Sequence, residues 1–192
     1  DDYRCLFGRI VKFLNSEPAC ISLRDYCISN NITLMKKGFF ITFEGGEGAG
    51  KSIQVEILVS HLHEDGYEVN VTREPGGTRI GEQIRAITHS QDNVDLHATT
   101  EAYLMAAARA QHVEQVIYPA LKAGNIVVCD RFVDSSIAYQ GYGRKLGPET
   151  IAKLNDLAVN GAKPNLTIFL DVPIEIGMRR RKKSQKSSDR LD

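Results

Sequence analysis

The sequence predicts an α/β fold with a mainly parallel sheet that is covered by helices on both faces. From residue 38 onward, apolar runs of strand length alternate with segments of helical periodicity. Strands that alternate with helices pair in parallel beneath crossover helices. In addition, a glycine-rich stretch joins the first apolar run to the first helical segment. Such a sheet collects ligands at the carboxyl ends of its strands, so the residues at those ends are the first candidates for function.

The predicted elements follow one another in a regular order. Strands are expected at about 38–43, 67–72, 125–129 and 165–171. Helices are expected at about 51–64, 79–89, 97–122, 133–140, 148–159 and 174–183. Gly66 and Gly124 stand just before strands, where glycine commonly ends a helix.

The composition is that of one ordinary globular domain. The chain has 192 residues, of which 42% are hydrophobic and 25% charged, and its net charge is zero. Nothing global therefore points to nucleic acid or to a membrane surface, and no apolar run approaches the roughly 18 residues of a spanning helix. The four cysteines form no C-x-x-C pair, and Cys129 lies within an apolar run, where we expect a buried free thiol. A reducing, cytoplasmic setting fits this composition best, and no signal-peptide pattern is seen.

Residues 1–34 differ from the rest of the chain. They begin without methionine, whereas Met35 immediately precedes the first predicted strand. We therefore expect an N-terminal extension over 1–34, with no assigned role, and a single domain over 35–192. Four apolar side chains of the extension have helical spacing, which predicts a small helical appendage. They are Leu6, Ile10, Phe13 and Leu14.

The glycine-rich stretch fits the pattern G-x-x-x-x-G-K-[ST] of a phosphate-binding P-loop. Its residues are Gly45, Gly46, Glu47, Gly48, Ala49, Gly50, Lys51 and Ser52. Glycines let the backbone turn its N–H groups inward around phosphate oxygens, and the following helix presents its positive end to the same anion. Lys51 is expected to reach the β- and γ-phosphates of ATP, and the Ser52 hydroxyl to ligate Mg²⁺. The alternative is a glycine turn before a lysine, but the strand, loop and helix order favours a P-loop NTPase with a three-layer α/β/α fold.

Two aspartates end apolar strands. Asp130 ends the third predicted strand and Asp171 ends the fourth. An aspartate at a strand end beside a P-loop organises the Mg²⁺ ion. Asp171 precedes Pro173 and has a second interpretation as a helix cap, so Asp130 is the preferred metal ligand.

Two arginines, Arg73 and Arg131, follow the second and third predicted strands. A guanidinium matches a phosphate through two parallel hydrogen bonds, so the pair predicts a second substrate that carries a phosphate. The alternative is that each arginine forms a structural ion pair with its neighbour, Glu74 or Asp130. A phosphate monoester has a second pKa of about 6, so it is already a dianionic nucleophile at pH 7 and needs no general base.

The basic run at 179–186 allows three interpretations. A charge run is most often a solvated face, and it also occurs as a weak nucleic-acid patch. After a helix in a P-loop kinase, the same run is expected to form a lid over the transferred phosphoryl group.

Several segments together resemble the thymidylate kinases of bacteria. They are residues 43–54, 72–78, 101–112 and 130–141, with weaker support from 189–191. The resemblance runs from about residue 36 to the C-terminus and implies transfer of the γ-phosphate of ATP to dTMP, giving dTDP and ADP. Two other hypotheses stay open: a kinase for another nucleoside monophosphate, and a truncated nucleotide-binding protein without turnover. Nucleic-acid binding through 179–186 is the weakest.

The resemblance also implies roles at the acceptor phosphate and in the lid. Arg73 and Arg131 resemble the arginines that hold the dTMP phosphate, and Glu47 resembles the acid near the sugar 3′-hydroxyl and that phosphate. The variable positions of the P-loop hold no basic residue. Family members of that kind carry the catalytic arginine in the lid, and three arginines of this chain are candidates for it. They are Arg179, Arg180 and Arg190.

Other positions resemble the family's nucleoside site. Arg109 resembles the arginine that contacts thymine, and Ser136 lies at the position that faces the other polar edge of the base. Tyr139 resembles the tyrosine beneath the deoxyribose, and Gln140 is a further expected contact. Without the resemblance, Arg109 would be interpreted as a surface residue, and Ser136 and Tyr139 as ordinary helix residues.

The chain departs from the family pattern in three ways. Met105 stands where the family usually has a phenylalanine that stacks on thymine, and Ile53 stands where a threonine hydroxyl is usual. The chain ends at Asp192, where the family continues with about one more strand and two helices. We therefore expect an open sheet edge, weaker thymine binding, and lower stability and activity than in a full-length relative. The expected partners are ATP and dTMP, with no specific nucleic acid and no membrane, and a homodimer through the helix at 97–122 is implied.

Overall fold

The protein's structure, a computed structural model, describes residues 11–13 and 38–183. These residues divide into two compact units that alternate along the chain, a subdivision that the length did not predict. The first unit contains 11–13, 38–71, 120–130 and 164–183. The second contains 72–119 and 131–163.

The described residues form a five-stranded sheet. Its strands are β1 (Val11–Phe13), β2 (Phe39–Gly45), β3 (Val69–Arg73), β4 (Ile126–Asp130) and β5 (Leu166–Leu170). They lie in the order β1-β5-β2-β4-β3. Strand β2 pairs in parallel with both β4 and β5, so that Phe43 is opposite Asp130 on one side and Ile168 on the other. The α/β fold with a mainly parallel sheet is confirmed.

Strand β1 corrects one expectation about the N-terminal extension and one about the open sheet edge. Phe13 belongs to this strand rather than to a helix, while Leu6, Ile10 and Leu14 lie outside the described residues. Residues Val11–Phe13 pair antiparallel with Ile168–Leu170, so the outer edge of β5 is not open there. An edge strand offers unpaired N–H and C=O groups, and pairing with them outweighs a weak local preference for helix.

The core of the first unit forms where helix α1 (Lys51–Glu64) packs on the sheet. All seven residues of β2 are buried, as a central strand of a parallel sheet requires. Helix α1 buries Val55, Leu58 and Leu62, which share one face because they are three and four residues apart. After α1, Gly66 adopts a φ of 85°, as predicted for a glycine at a helix end. The last described helix, α7, spans Ile174–Lys183.

The second unit is helical. Its helices are α2 (Arg79–His89), α3 (Ala98–His112), α5 (Val133–Ser136) and α6 (Pro148–Val159), with a 3₁₀ turn at Gln91–Asn93. Helix α4 (Tyr118–Lys122) follows α3 along the chain and crosses the boundary between the units. The Thr78 side chain accepts a hydrogen bond from the Gly81 N–H at 2.9 Å and caps α2, which fixes where that helix begins.

Two predicted helices contain wider turns than expected. The helix expected at 97–122 is interrupted by a π-helical segment at Val113–Ile117, and the one expected at 133–140 continues as a π-helix over Ile137–Gly143. The apolar spacing that identifies a helix does not distinguish these i→i+5 turns from α-helix, which is why the sequence did not show them. π-helical segments are frequent at functional sites, and the second one carries Tyr139 and Gln140.

Two statements from composition bear on the described residues. Cys129 is fully buried and forms no disulfide, as predicted. None of the described helices combines the length and the apolar character that crossing a membrane requires.

Candidate active site

The P-loop in the first unit connects β2 to α1. Gly45, Gly48 and Gly50 adopt φ values of 143°, 69° and 97°, a region that side chains rarely occupy. The Lys51 ammonium donates hydrogen bonds to the carbonyls of Gly45 at 2.9 Å and Gly46 at 3.0 Å, and its side chain is buried. The loop's own carbonyls therefore hold the lysine over the loop, so the cation and the turned backbone form one preorganised unit.

The remaining positions of the loop differ in exposure. Gly46 and Glu47 are exposed at the tip, and Ala49 is buried against the core below. The Ala49 N–H donates to the Gly46 carbonyl at 3.3 Å, which closes the turn.

The two predicted Mg²⁺ ligands lie side by side in the first unit. The Ser52 hydroxyl donates to Asp130 Oδ2 at 3.4 Å. The other carboxylate oxygen, Asp130 Oδ1, is buried and has no hydrogen-bond partner among the described residues. A buried oxygen of this kind is costly unless something binds it, and a hard cation with oxygen ligands fits it. Ser52 and Asp130 together are therefore the candidate metal centre. Asp171, the alternative, is exposed.

Helix α7 contacts the P-loop backbone directly. A Cβ on Gly177 would lie 2.4 Å from the Glu47 carbonyl oxygen, and a Cβ on Gly48 would lie 2.2 Å from the Gly177 carbonyl oxygen. The two backbones can approach this closely only because both positions are glycine.

Two of the predicted lid arginines, Arg179 and Arg180, belong to the described residues, and both are exposed on α7. Arg180 Nη1 donates to the Gly48 carbonyl of the loop at 3.4 Å. Arg190 lies outside the described residues, as do positions 184–186 of the basic run.

In the second unit, Arg109 lies at the centre of a buried polar cluster. It is 4% exposed, so its interpretation as a surface residue is wrong. Its Nε donates to Glu74 Oε2 at 2.7 Å, Nη1 to Ser136 Oγ at 3.0 Å, and Nη2 to the Phe132 carbonyl at 3.0 Å. Nη1 also donates to Asn155 Oδ1. The guanidinium is thus fixed on several sides, as a recognition group must be.

Glu74 extends this cluster to a buried histidine. Glu74 Oε1 lies 2.8 Å from His112 Nδ1, and His112 Nε2 lies 2.6 Å from Thr72 Oγ1. Because a carboxylate only accepts, Nδ1 carries a proton and donates to Glu74. In the neutral ring, Nε2 accepts from the threonine hydroxyl. From the sequence, Glu74 was expected only as an alternative partner for Arg73, and this interpretation of Glu74 is corrected.

Arg73 instead pairs with Glu82 on helix α2. Its Nη2 donates to Glu82 Oε1 at 3.1 Å and Oε2 at 3.0 Å, and Gly77 N–H donates to Oε1 at 3.0 Å. Partial burial raises the pKa of Glu82, but the Gly77 hydrogen bond and the charges of Arg73 and Arg85 outweigh it and leave that pKa below its ordinary value. Both side chains of the pair are about half exposed.

Arg131 occupies a strained position directly after β4. Its φ is 72°, in the left-handed region that non-glycine residues seldom adopt. Nη1 donates to Ser135 Oγ at 3.1 Å, and the guanidinium lies 5.4 Å from the centre of the Tyr139 ring. Strain of this kind concentrates at functional sites. The structure thereby brings two predicted residues, Arg131 and Tyr139, into contact.

Gln140 lies in a second buried cluster with two residues that the sequence analysis did not assign. Gln140 Nε2 donates to Glu101 Oε1 at 2.8 Å. Arg144 donates to Glu101 Oε2 through Nη2 at 2.8 Å and Nε at 3.2 Å, and Glu101 is fully buried. Met105 is buried, whereas Ile53 is 58% exposed, so the missing threonine hydroxyl is a surface change.

Six polar residues of these contacts were not expected from the sequence to contribute to the site. They are Glu74, Glu82, Glu101, His112, Arg144 and Asn155. The one available signal was a charged or polar residue inside an otherwise apolar helical face, as at Glu101 and His112.

Comparisons with known proteins agree with the features of both units. The family model described as "Thymidylate kinase" matches residues 43–191. A thymidylate kinase of Geotalea uraniireducens is 58% identical over 143 residues, covering 74% of this chain and 67% of that protein. One of Geobacillus thermodenitrificans is 49% identical over 156 residues, covering 81% and 69%. The chain therefore spans about two thirds of the length of these relatives.

A solved structure shows the same likeness. The crystal structure of thymidylate kinase from Ehrlichia chaffeensis superposes with a TM-score of 0.66 at 39% identity, covering 76% of this chain and 82% of that one. Since the family model covers most of the sequence and the relatives are well above 30% identical, the chain belongs to the thymidylate kinase family.

Proposed function

We propose that this chain is a phosphotransferase that moves the γ-phosphate of ATP to dTMP, giving dTDP and ADP. One observation carries the proposal: the family match at 43–191 contains the phosphate-binding loop in the first unit and the arginines at 73, 109 and 131 in the second. The chain therefore retains residues for binding a triphosphate donor and residues for binding a phosphorylated acceptor.

The residues of the first unit bind ATP. The loop N–H groups surround the phosphates, and Lys51 neutralises charge on the β- and γ-phosphates. Ser52 and Asp130 would hold Mg²⁺, which supplies charge stabilisation for the transferred phosphoryl group. Asp130 Oδ1, buried without a hydrogen-bond partner among the described residues, supports this assignment.

Residues of the second unit bind the acceptor phosphate. Arg73 and Arg131 would offer guanidinium groups to it, and Glu47 of the P-loop would lie near the sugar 3′-hydroxyl. Because the acceptor phosphate is largely dianionic at pH 7, it attacks without a general base, and catalysis reduces to positioning and to suppressing charge repulsion. One of Arg179, Arg180 and Arg190 would add the lid's positive charge; the Arg180 contact with Gly48 favours Arg180.

Arg109 would read the thymine base. Among the described residues, Glu74, Ser136, Asn155 and Phe132 accept from four of its five N–H groups, and one N–H on Nη2 is left for a carbonyl oxygen of the base. A donor held this rigidly discriminates because a base without a matching acceptor leaves it unpaired. Three further residues would complete the nucleoside site. They are Met105, Tyr139 and Gln140.

A cytoplasmic setting and a homodimer follow from the family and stay predictions. The small-molecule partners are ATP and dTMP.

The test is coupled ADP release with ATP, Mg²⁺ and dTMP, run beside Arg131→Ala. Turnover that depends on dTMP and collapses in the variant supports the proposal. If the chain phosphorylates dUMP, dCMP or AMP faster than dTMP, that nucleotide replaces dTMP as the proposed acceptor. Absence of ADP, with dTMP or ATP still raising the melting temperature by linkage, would identify a binding protein without turnover.

A further inference from the structure

We propose that Glu82 is a positioning residue for the acceptor phosphate, acting through Arg73. The inference rests on the proposed function, in which Arg73 binds that phosphate. No motif in the sequence singles out Glu82. It is the geometry of the turn at 73–82 that assigns the role.

The Glu82 carboxylate holds two parts of this turn at once. Oε1 accepts the Gly77 N–H at 3.0 Å, and both oxygens accept from Arg73 Nη2 at 3.0 and 3.1 Å. A Cβ on Gly76 would lie 2.3 Å from Oε1, so the carboxylate is packed against the turn itself. Glu82 is therefore anchored to the backbone, unlike the usual exposed partner in a surface ion pair, whose side chain is mobile.

Anchoring matters because Arg73 is 53% exposed and has a long side chain with many rotamers. Ordering such a side chain at the moment of binding weakens affinity. Among the described residues, the Glu82 contact uses Nη2 alone and leaves Nε and Nη1 as donors. Glu82 thus orients the guanidinium before the phosphate arrives, while donors remain for the phosphate.

The contact also acts selectively on one substrate. The residues that bind ATP lie in the first unit, whereas Arg73, Gly77 and Glu82 belong to the second. Loss of the Glu82 charge is therefore expected to change the KM for dTMP and to leave the KM for ATP unchanged.

The experiment compares Glu82→Gln with the parent chain. Glutamine has the same shape and keeps an acceptor oxygen for the Gly77 N–H, but it loses the charge that holds Arg73. We expect the KM for dTMP to rise about tenfold, as for loss of one charge-assisted hydrogen bond, with kcat and the KM for ATP within about twofold of the parent. Glu56→Gln, an exposed carboxylate on α1, is the matched control and should match the parent.

Repeating the substitution in the Arg73→Ala variant distinguishes positioning of Arg73 from a general structural effect of Glu82→Gln. In Arg73→Ala, Glu82 has no guanidinium to orient, so adding Glu82→Gln should change the KM for dTMP no further. Equal effects in both backgrounds would overturn the proposal, and so would an unchanged or lowered KM in the single variant. A lowered KM would mean that Glu82 competes with the phosphate instead of positioning its ligand.

The same series distinguishes failure of this inference from failure of the proposed function. Should the parent bind dTMP without turnover, calorimetric Kd values for dTMP replace KM, with the same expected ratios. A parent that neither binds nor phosphorylates dTMP overturns both. A parent that phosphorylates dTMP, with Glu82→Gln indistinguishable from it, overturns this inference alone.

Discussion

Arg109 and Glu74 form a buried ion pair at 2.7 Å, with both side chains 4% exposed. The second oxygen of Glu74 is bound to His112, so one carboxylate of the turn after Arg73 contacts two side chains of α3, Arg109 and His112. A buried charge with its hydrogen bonds satisfied is tolerated, whereas the same charge without its partner is costly.

Glu74→Gln should therefore be strongly destabilising. It leaves the buried Arg109 charge without a carboxylate, and we expect a loss of about 3–5 kcal/mol in the free energy of unfolding. Urea titration measures it. Glu82→Gln is the comparison, because it breaks a half-exposed pair and should cost less than about 1 kcal/mol. Similar costs in the two variants would contradict a buried Glu74.

Asp130→Asn should raise the Mg²⁺ concentration needed for ADP release by about tenfold or more, because a neutral amide is a weaker ligand for a hard cation. Asp171→Asn, at the end of the next strand, is the matched control and should leave the requirement unchanged. Since Asp130 Oδ1 has no hydrogen-bond partner among the described residues, Asp130→Asn should not lower stability in metal-free urea titration. A variant with an unaltered Mg²⁺ requirement would refute the metal assignment.

Gly177→Ala should weaken ATP binding. By helix propensity alone, alanine in α7 would stabilise the chain by about 1 kcal/mol. However, its Cβ would lie 2.4 Å from the Glu47 carbonyl, a contact that forces backbone to move. We expect lower stability and a raised KM for ATP. Gly143→Ala is the control, because its nearest neighbour is 3.6 Å away. If Gly177→Ala is more stable than the parent, the helix does not pack on the loop in this way.

Met105→Phe should lower the KM for dTMP by several-fold. An aromatic side chain restores the flat face that stacks on a base, an interaction of about 1–3 kcal/mol in other proteins. Met105 is 7% exposed, so the larger ring should also cost about 1–3 kcal/mol of stability. Steady-state kinetics together with urea titration check both effects. An unchanged KM would place Met105 away from the base.

The Glu82 contact should stabilise the fold in a pH-dependent manner. Its pKa in the folded chain lies below the ordinary value of 4.5, so the carboxylate contributes its stability at pH values above 4.5. The contribution is lost as the pH falls through the lower, folded pKa. Parent and Glu82→Gln should thus differ slightly at pH 7 and converge in strong acid. A difference that grows as the pH falls would contradict the sign of the shift.

Local signals in the sequence predicted much of the fold. The bounds of α1 agree with the predicted 51–64 because Gly50 and Gly66 flank a stretch whose Val55, Leu58 and Leu62 repeat with helical spacing. The P-loop was predictable for the same reason, since eight consecutive residues determine it. Metal coordination by Ser52 followed from the P-loop pattern and that by Asp130 from a rule about strand ends, and both stay predictions until measured.

Contacts between distant residues were not predictable in this way. Glu74 pairs with Arg109, 35 residues away, and His112, 38 residues away, and no periodic pattern connects them. A nearer charge, Arg73, was the obvious partner in the sequence. Whether Glu74 pairs with Arg73 or with Arg109 depends only on how the turn at 73–82 packs against α2 and α3. The π-helical turns were not predicted for a related reason, because their hydrogen-bond register depends on neighbouring elements.

The backbone conformation of Arg131 lowers stability, whereas its side chain is proposed to serve activity. A left-handed φ of 72° favours glycine, and an arginine there carries a backbone cost of about 1–2 kcal/mol. Glycine would relieve that strain but would remove the guanidinium that we propose binds the acceptor phosphate. Directed evolution for heat resistance alone would thus tend to enrich glycine at this position and return robust but inactive chains. Any such campaign needs a selection for turnover at every round.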